Sequence, residues 1–312
     1  MTDSNGAFDD FINQLATVCI NASSVFLDGK TVRKHGTGPE TQWRLDADSW
    51  VEAFGSDEPG GWISEIAVGY LGEAAYELKA IAKLLRSRIV AGTIDPLVRA
   101  VMERCGRVIW VLDDEPPDGT AFNRAARAAL EIGISSQHYL ETIRTLGATT
   151  DQCESAEVYD SRHRSLLIEW FKPERPRPVE DVRGWKISGK TSPGFTAIAR
   201  FAGERCRITS QQGGGVYGGI SGFAHPSIVF SRENRITTES GGLEFNYRAA
   251  DLEKLVRMAV LTFLEAVKYC ARYYATGLDK FHEKVIPIER RLDEITILIP
   301  GDSRDSSTVA QA

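Results

Sequence analysis

The residues best able to do chemistry lie in one uncharged stretch, Ser210 to Ser227. It reads SQQGGGVYGGISGFAHPS and holds six glycines between Gly213 and Gly222. Read as a helix from about Gly215 to His225, it puts Tyr217, Ser221 and His225 at i, i+4 and i+8 on one face. Gly218 and Gly222 fall on a neighbouring face, where the missing Cβ permits close backbone approach. A phenol, a hydroxyl and an imidazole in one row can hydrogen-bond a partner or a small ligand. A neutral histidine, with an ordinary pKa of about 6.5, can also move protons at physiological pH. The other reading of the same row is a satisfied polar stripe inside a bundle, ended by Pro226. Gly213, Gly215 and Gly218 spell G-x-G-x-x-G, but Arg205 to Ser210 is too short and polar for the buried strand that a dinucleotide fingerprint requires. No Lys-Ser or Lys-Thr follows the glycines, which excludes a Walker A loop.

A second set is Arg99, Glu103 and Arg107, spaced i, i+4 and i+8 among the apolar residues Val98, Val101, Met102, Cys105, Val108 and Ile109. A carboxylate between two guanidiniums is either a surface ladder worth about 0.2–0.5 kcal/mol per pair or a buried network that orients His225 or an anion. Arg124 and Arg127, on the next helical stretch, are further candidates for this network and for binding.

No metal site is expected. His35, His138, His163 and His282 have no ligand spacing to one another, and no H-E-x-x-H occurs. The five cysteines are scattered singly, without a C-x-x-C pair, which fits a reducing cytoplasm. No secretory signal and no membrane segment are expected, because Met1 to Asp10 has no apolar core and the uncharged stretch from Ile208 to Ser231 is too polar. The balance of 37 Lys+Arg against 43 Asp+Glu gives a net charge of -6, so contact with a polyanion must be local. The best place for it is the basic, Pro-containing connector 172–207, where Phe171, Trp185 and Phe195 are interleaved with cations and could stack on bases. No cofactor is implied.

The elements that must position these residues are helical. Apolar residues recur at three and four from Phe8 to Phe26, Trp62 to about Val90, Asp95 to Asp113, Phe122 to Leu146, Asp151 to Phe171 and Asp251 to Thr276. Shorter helices are expected at Asp46 to Phe54 and Phe195 to Ala202. Glu58 to Gly61 reads as a breaker, and Pro287 as an interruption of a last helix from Phe281 to Ile299. Around Ser240-Gly241-Gly242, alternation points to a small hairpin within 228–247. The expected fold is therefore all-α, a multi-helix bundle with a small β-hairpin inserted before the long C-terminal helix. Its expected parts are 1–61, a helix and connection; 62–300, the bundle; and 301–312, a disordered tail.

The order of these features resembles a broad set of bacterial all-helical proteins of HEPN-like type. The resemblance rests on an Arg/Glu-rich helix ending in Trp110-Val-Leu-Asp113, an Arg-bearing Ala-rich helix, and Tyr217-x3-Ser221-x3-His225-Pro226 before a long final helix, over about Ile63 to Thr276. It implies a helical bundle, frequently a homodimer, in a set that includes metal-independent ribonucleases of toxin and antiphage systems. In those enzymes an Arg followed by four to six residues and a His forms the active site. Here the positions four to eight before His225 are Tyr217, Gly218, Gly219, Ile220 and Ser221, with no Arg. Two readings follow. The first is a cytoplasmic, non-catalytic protein whose polar row is structural or binds an RNA, protein or small-ligand partner. In the second, a ribonuclease uses His225 as general acid or base on the ribose 2′-hydroxyl, while Arg99 or Arg107 steadies the phosphate.

Overall fold

A computed structural model describes residues 3–28, 41–89, 93–115, 117–176, 180–206, 214–215, 217–220, 235–237, 243–245, 248–274 and 278–298. The fold is all-α. In chain order the helices are α1 (Asp3–Leu27), α2 (Gln42–Phe54), α3 (Glu58–Arg86), α4 (Ile94–Leu112), α5 (Ala121–Thr145), α6 (Thr150–Phe171), α7 (Phe195–Arg205), α8 (Ala249–Tyr274) and α9 (Leu278–Leu298). Residues 214–215 and 217–220 are also helical. Among the described residues of 228–247, backbone pairing covers three residues a side. Arg235 lies opposite Phe245 and Thr237 opposite Leu243, antiparallel, which is too little to form a sheet layer. The rest of that stretch, the tail 301–312, Ser221, Gly222 and His225 lie outside the described residues.

Local chemistry explains most helix limits. Thr41, Thr120 and Thr149 each accept a hydrogen bond from a first-turn amide, and Thr149 with Gln152 completes a capping box. Gly55 ends α2 at φ 70°, a conformation that favours glycine. Two expectations are corrected. The segment Glu58–Gly61 does not break the chain: it is the first turn of α3, where a proline has no N–H to lose and Glu58 faces the positive helix end. Pro287 does not interrupt α9 either. An internal proline costs about 3 kcal/mol, but Phe281, Val285, Ile288, Leu292 and Ile295 form one buried stripe running past it, and that burial outweighs the loss.

The chain divides into two compact units. Unit 1 comprises Met1–His35, Tyr70–Ile109 and Phe195–Ala312, and unit 2 comprises Gly36–Gly69 and Trp110–Gly194. Two of the four divisions fall inside helices, one in α3 and one in α4.

In unit 1, α1 packs on both α8 and α9, which pack on each other. Leu15, Cys19 and Ala22 of α1, Phe263 and Val267 of α8 and Leu292 of α9 are fully enclosed. α4 and α7 approach closely at Gly106, where a Cβ would stand 2.4 Å from Ile198 Cγ2. A methyl there meets a branched side chain that has no space to turn. Gly106→Ala is therefore expected to lower stability by about 1–3 kcal/mol despite its better helix propensity, read as a shift in the urea midpoint.

In unit 2, α5 and α6 form an antiparallel pair, with α2 and the turn Val182–Gly184 also against α5. The Trp50 indole N–H donates to the Ala121 carbonyl at 2.8 Å. Gly133 leaves the notch in α5 that Leu167 and Val182 enter. Beside it, buried His163 packs edge-on against Trp62 and bonds through Nε2 to the Ala129 carbonyl at 3.0 Å. A carbonyl can only accept, so Nε2 carries the hydrogen. Burial pushes the His163 pKa below its ordinary 6.5, although the Ala129 bond opposes the change. With the folded value depressed, stability is fully present above the unfolded pKa and falls as pH drops through the folded one. Below pH 6.5 the melting temperature should fall on acidification, and His163→Phe should flatten that slope.

Candidate functional site

α4 carries the predicted charged stripe and places it in unit 1. Its buried face, with Val98, Val101, Cys105 and Val108, fixes the helix rotation, so Arg99 and Glu103 project from the flank, each about one fifth exposed. Arg99 Nε donates to Glu103 Oε1 at 2.6 Å, and the Tyr217 hydroxyl donates to the same oxygen at 2.5 Å. The Arg99 guanidinium also lies 5.6 Å from the centre of the Tyr217 ring. Tyr217 itself is 3% exposed. Residues 217–220 are therefore anchored to α4 through a phenol on a carboxylate. The Glu103 hydrogen bond, opposed by desolvation, raises the Arg99 pKa still further, which keeps the guanidinium charged. Arg107, the third residue of the stripe, lies with its guanidinium 5.5 Å from the ring centre of half-exposed Phe195.

The structure places three further charged groups beside this junction that sequence reading missed. Arg104 Nε donates to Glu73 at 2.5 Å and its Nη1 to Glu77 at 2.7 Å, so one guanidinium spans two carboxylates spaced i, i+4 on α3. Burial pushes Glu77 up to about 7, against the pull of Arg104 and with Glu73 and Glu103 adding to the rise. The signal in the sequence was Glu73-x3-Glu77 on a helix whose other face is apolar. Nothing in the sequence tells that Arg104 turns toward that pair.

Arg124 and Arg127 lie in unit 2, where both hold structure together. Arg124 pairs with Asp46 through two hydrogen bonds, 2.6 and 2.7 Å, with both side chains 2% exposed, and reaches the Gly119 carbonyl at 2.9 Å. Arg127 donates to the carbonyls of Trp110, Asp113 and Asp118, closing the C-terminus of α4 and the loop after it.

Of the three rings interleaved in the basic connector, Phe195 is half-exposed and the other two are not available for stacking. Trp185 and Phe171 are core residues, 2% and 6% exposed. Phe171 sits in a ring cluster with Phe54 and Phe122. Lys190 is ion-paired to Asp118, and Arg183 to Asp181 at 2.8 Å. The close approach expected at Gly218 is also not seen, since a Cβ there would meet nothing within 4 Å among the described residues. It is Gly214 that is approached, by the Arg200 side chain.

Among the described residues no group of three or more His, Cys, Asp or Glu could hold a metal ion, and no helix is long and apolar enough to cross a membrane. The five cysteines are free thiols, and burial pushes Cys19, Cys206 and Cys270 up to about 12, where they are poor nucleophiles. No family model, no curated protein and no solved structure matches this chain.

Proposed function

We propose that this chain is a non-catalytic binding or scaffold protein, in which the polar row starting at Tyr217 anchors the glycine-rich segment. The observation that carries the reading is the shared oxygen of Glu103. Arg99 and Tyr217 both direct a donor at that one atom. A guanidinium meant to steady a phosphate in a reaction would be directed at the place where charge develops, not at a neighbouring carboxylate. The absence of an Arg in the four to eight positions before His225 supports the same reading. A cytoplasmic location belongs to this proposal through the singly scattered cysteines, and a homodimer and an RNA or protein partner through the HEPN-like resemblance.

The test is incubation of total RNA and a tRNA pool with wild type and His225→Ala, with EDTA present. The expected result is no cleavage by either protein, together with a changed melting temperature in the variant. Cleavage by wild type that is lost in His225→Ala would overturn the proposal in favour of a HEPN-like ribonuclease with His225 as general acid or base. Light scattering that returned only a 34.4 kDa species would remove the dimer.

A further inference from the structure

Two exposed helix faces carry opposite charge at matching intervals. Residues 78–94 hold four cations, Lys79, Lys83, Arg86 and Arg88, and no acid, whereas residues 145–161 hold four acids, Asp151, Glu154, Glu157 and Asp160, and no cation. Some of these charges are used within the chain. Arg88 is ion-paired to Asp9, Glu157 to Arg144 and Asp160 to Arg164. The others are exposed and have no ion-pair partner among the described residues: Lys79, Lys83 and Arg86 on α3, in unit 1, and Asp151 and Glu154 on α6, in unit 2. Each row also shows an apolar group to solvent. Tyr76, one turn before Lys79, is 66% exposed, with the Lys79 ammonium 5.8 Å from its ring centre. Val158, one turn after Glu154, is 71% exposed.

We propose that the α3 row of one copy of this chain docks antiparallel on the α6 row of a second copy. From Tyr76 to Lys83 and from Asp151 to Val158 are both seven residues, about 10.5 Å along a helix axis. Laid antiparallel, Tyr76 meets Val158 and Lys83 meets Asp151. Lys79 and Glu154 then fall about 1.5 Å from level, an offset that a lysine side chain spans. A parallel alignment also brings Lys79 to Glu154, but it sets Tyr76 against Asp151 and Lys83 against Val158, leaving a charge on each apolar group. The antiparallel alignment in addition opposes the two helix dipoles. The occupant is a second copy because one molecule supplies both faces, while either row set against itself would repel. Complementary charge fixes register and speeds encounter more than it adds affinity, so the association is weak and sensitive to salt. This rests on the homodimer of the proposed function and gives it a surface.

Sedimentation of the full chain tests this in about 0.1 M and about 1 M salt, where the Debye length falls from about 10 Å to about 3 Å. Wild type should self-associate in the lower salt and do so about tenfold more weakly in the higher. The double variant Lys79→Glu with Lys83→Glu should be monomeric, and so should Asp151→Lys with Glu154→Lys. An equal mixture of the two should associate again, because each reversed row then faces the other's reversed row, and the two unaltered rows also match. Association retained in either double variant would overturn the proposal and leave the homodimer standing on another surface. No recovery in the mixture would also overturn it. Salt-independent association of wild type would overturn it without any variant, which keeps the test decisive if a reversed row fails to fold. Wild type that stays at 34.4 kDa in the lower salt would remove both this surface and the homodimer. If that monomer bound a single-stranded oligonucleotide and the α3 double variant did not, the basic row would belong to a polyanion instead. RNA cleavage by wild type would refute the non-catalytic reading without touching any of these results.

Discussion

Arg124→Ala is expected to lose about 3–5 kcal/mol of stability, enough to take a marginal domain close to unfolding at ordinary temperature. Arg124 and Asp46 are both 2% exposed and meet through two parallel hydrogen bonds. Removing the guanidinium leaves a carboxylate 2% exposed that has lost both of its charged hydrogen bonds, with the Gln42 side-chain amide, at 2.8 Å to Asp46 Oδ1, still bonded to it. The cost is mostly that orphaned charge, because a buried pair gains little net energy over its own desolvation. Asp46→Ala should therefore be about as damaging as Arg124→Ala. Asp46→Leu with Arg124→Met should recover most of the loss, since two apolar groups of similar size leave no charge behind. Urea unfolding of the two single variants and the double variant measures the coupling. If the double variant were as unstable as the sum of the singles, the attribution to charge burial would be wrong.

Gly119→Ala should be the next most harmful single change, with a loss of at least about 3 kcal/mol, and should abolish the local structure of the loop between α4 and α5. A Cβ on residue 119 would stand 2.2 Å from both the carbonyl carbon and the carbonyl oxygen of Asp114, and these are backbone atoms that cannot rotate away. The loop is tied at both ends. Gly119 N–H donates to the Glu115 carbonyl at 2.9 Å, while Arg124 and Arg127 hold the carbonyls of Gly119 and Asp118. Moving the backbone to admit a methyl therefore breaks contacts to both arginines. Thermal unfolding followed by circular dichroism would read the loss. A melting temperature within a degree or two of wild type would show that the loop is slack.

Most of the helices were legible because their apolar spacing is local information. The stripes from Phe8 to Phe26 and from Asp251 to Thr276 need nothing but the 3.6-residue period; the first is helical throughout and the second as far as it is described, to Tyr274. Errors arose where a residue's effect depends on position or packing. Pro59 reads as a breaker until it is known to be in a first turn, and Pro287 reads as one until five buried neighbours are known to hold α9 on either side. The site was half visible. The i, i+4 spacing of Arg99 and Glu103 is local and is formed in the structure. The partner of Glu103 lies 114 residues away, and no short-range pattern announces it. The same limit applied to Trp185. Among Lys and Arg neighbours it looked like a ring offered to solvent, but its burial is decided by tertiary contacts around the Val182–Gly184 turn. Arg124 and Arg127 stand out in the sequence for their charge, and only tertiary contacts reveal that the charge is directed at Asp46 and at loop carbonyls.

The packing of α1 against α8 and α9 sets the order in which this chain can mature on the ribosome. α1 ends at Leu27 and α8 begins at Ala249. At about 5–20 residues per second, the roughly 220 residues between them take about 10–45 seconds to translate. Throughout that interval the greasy stripe of α1, with Ile12, Leu15, Cys19 and Val25, has been made but the helices that cover it have not. A nascent chain in that condition exposes apolar surface that is prone to aggregate, and slower translation of the rest of its message lengthens the exposure rather than helping the fold.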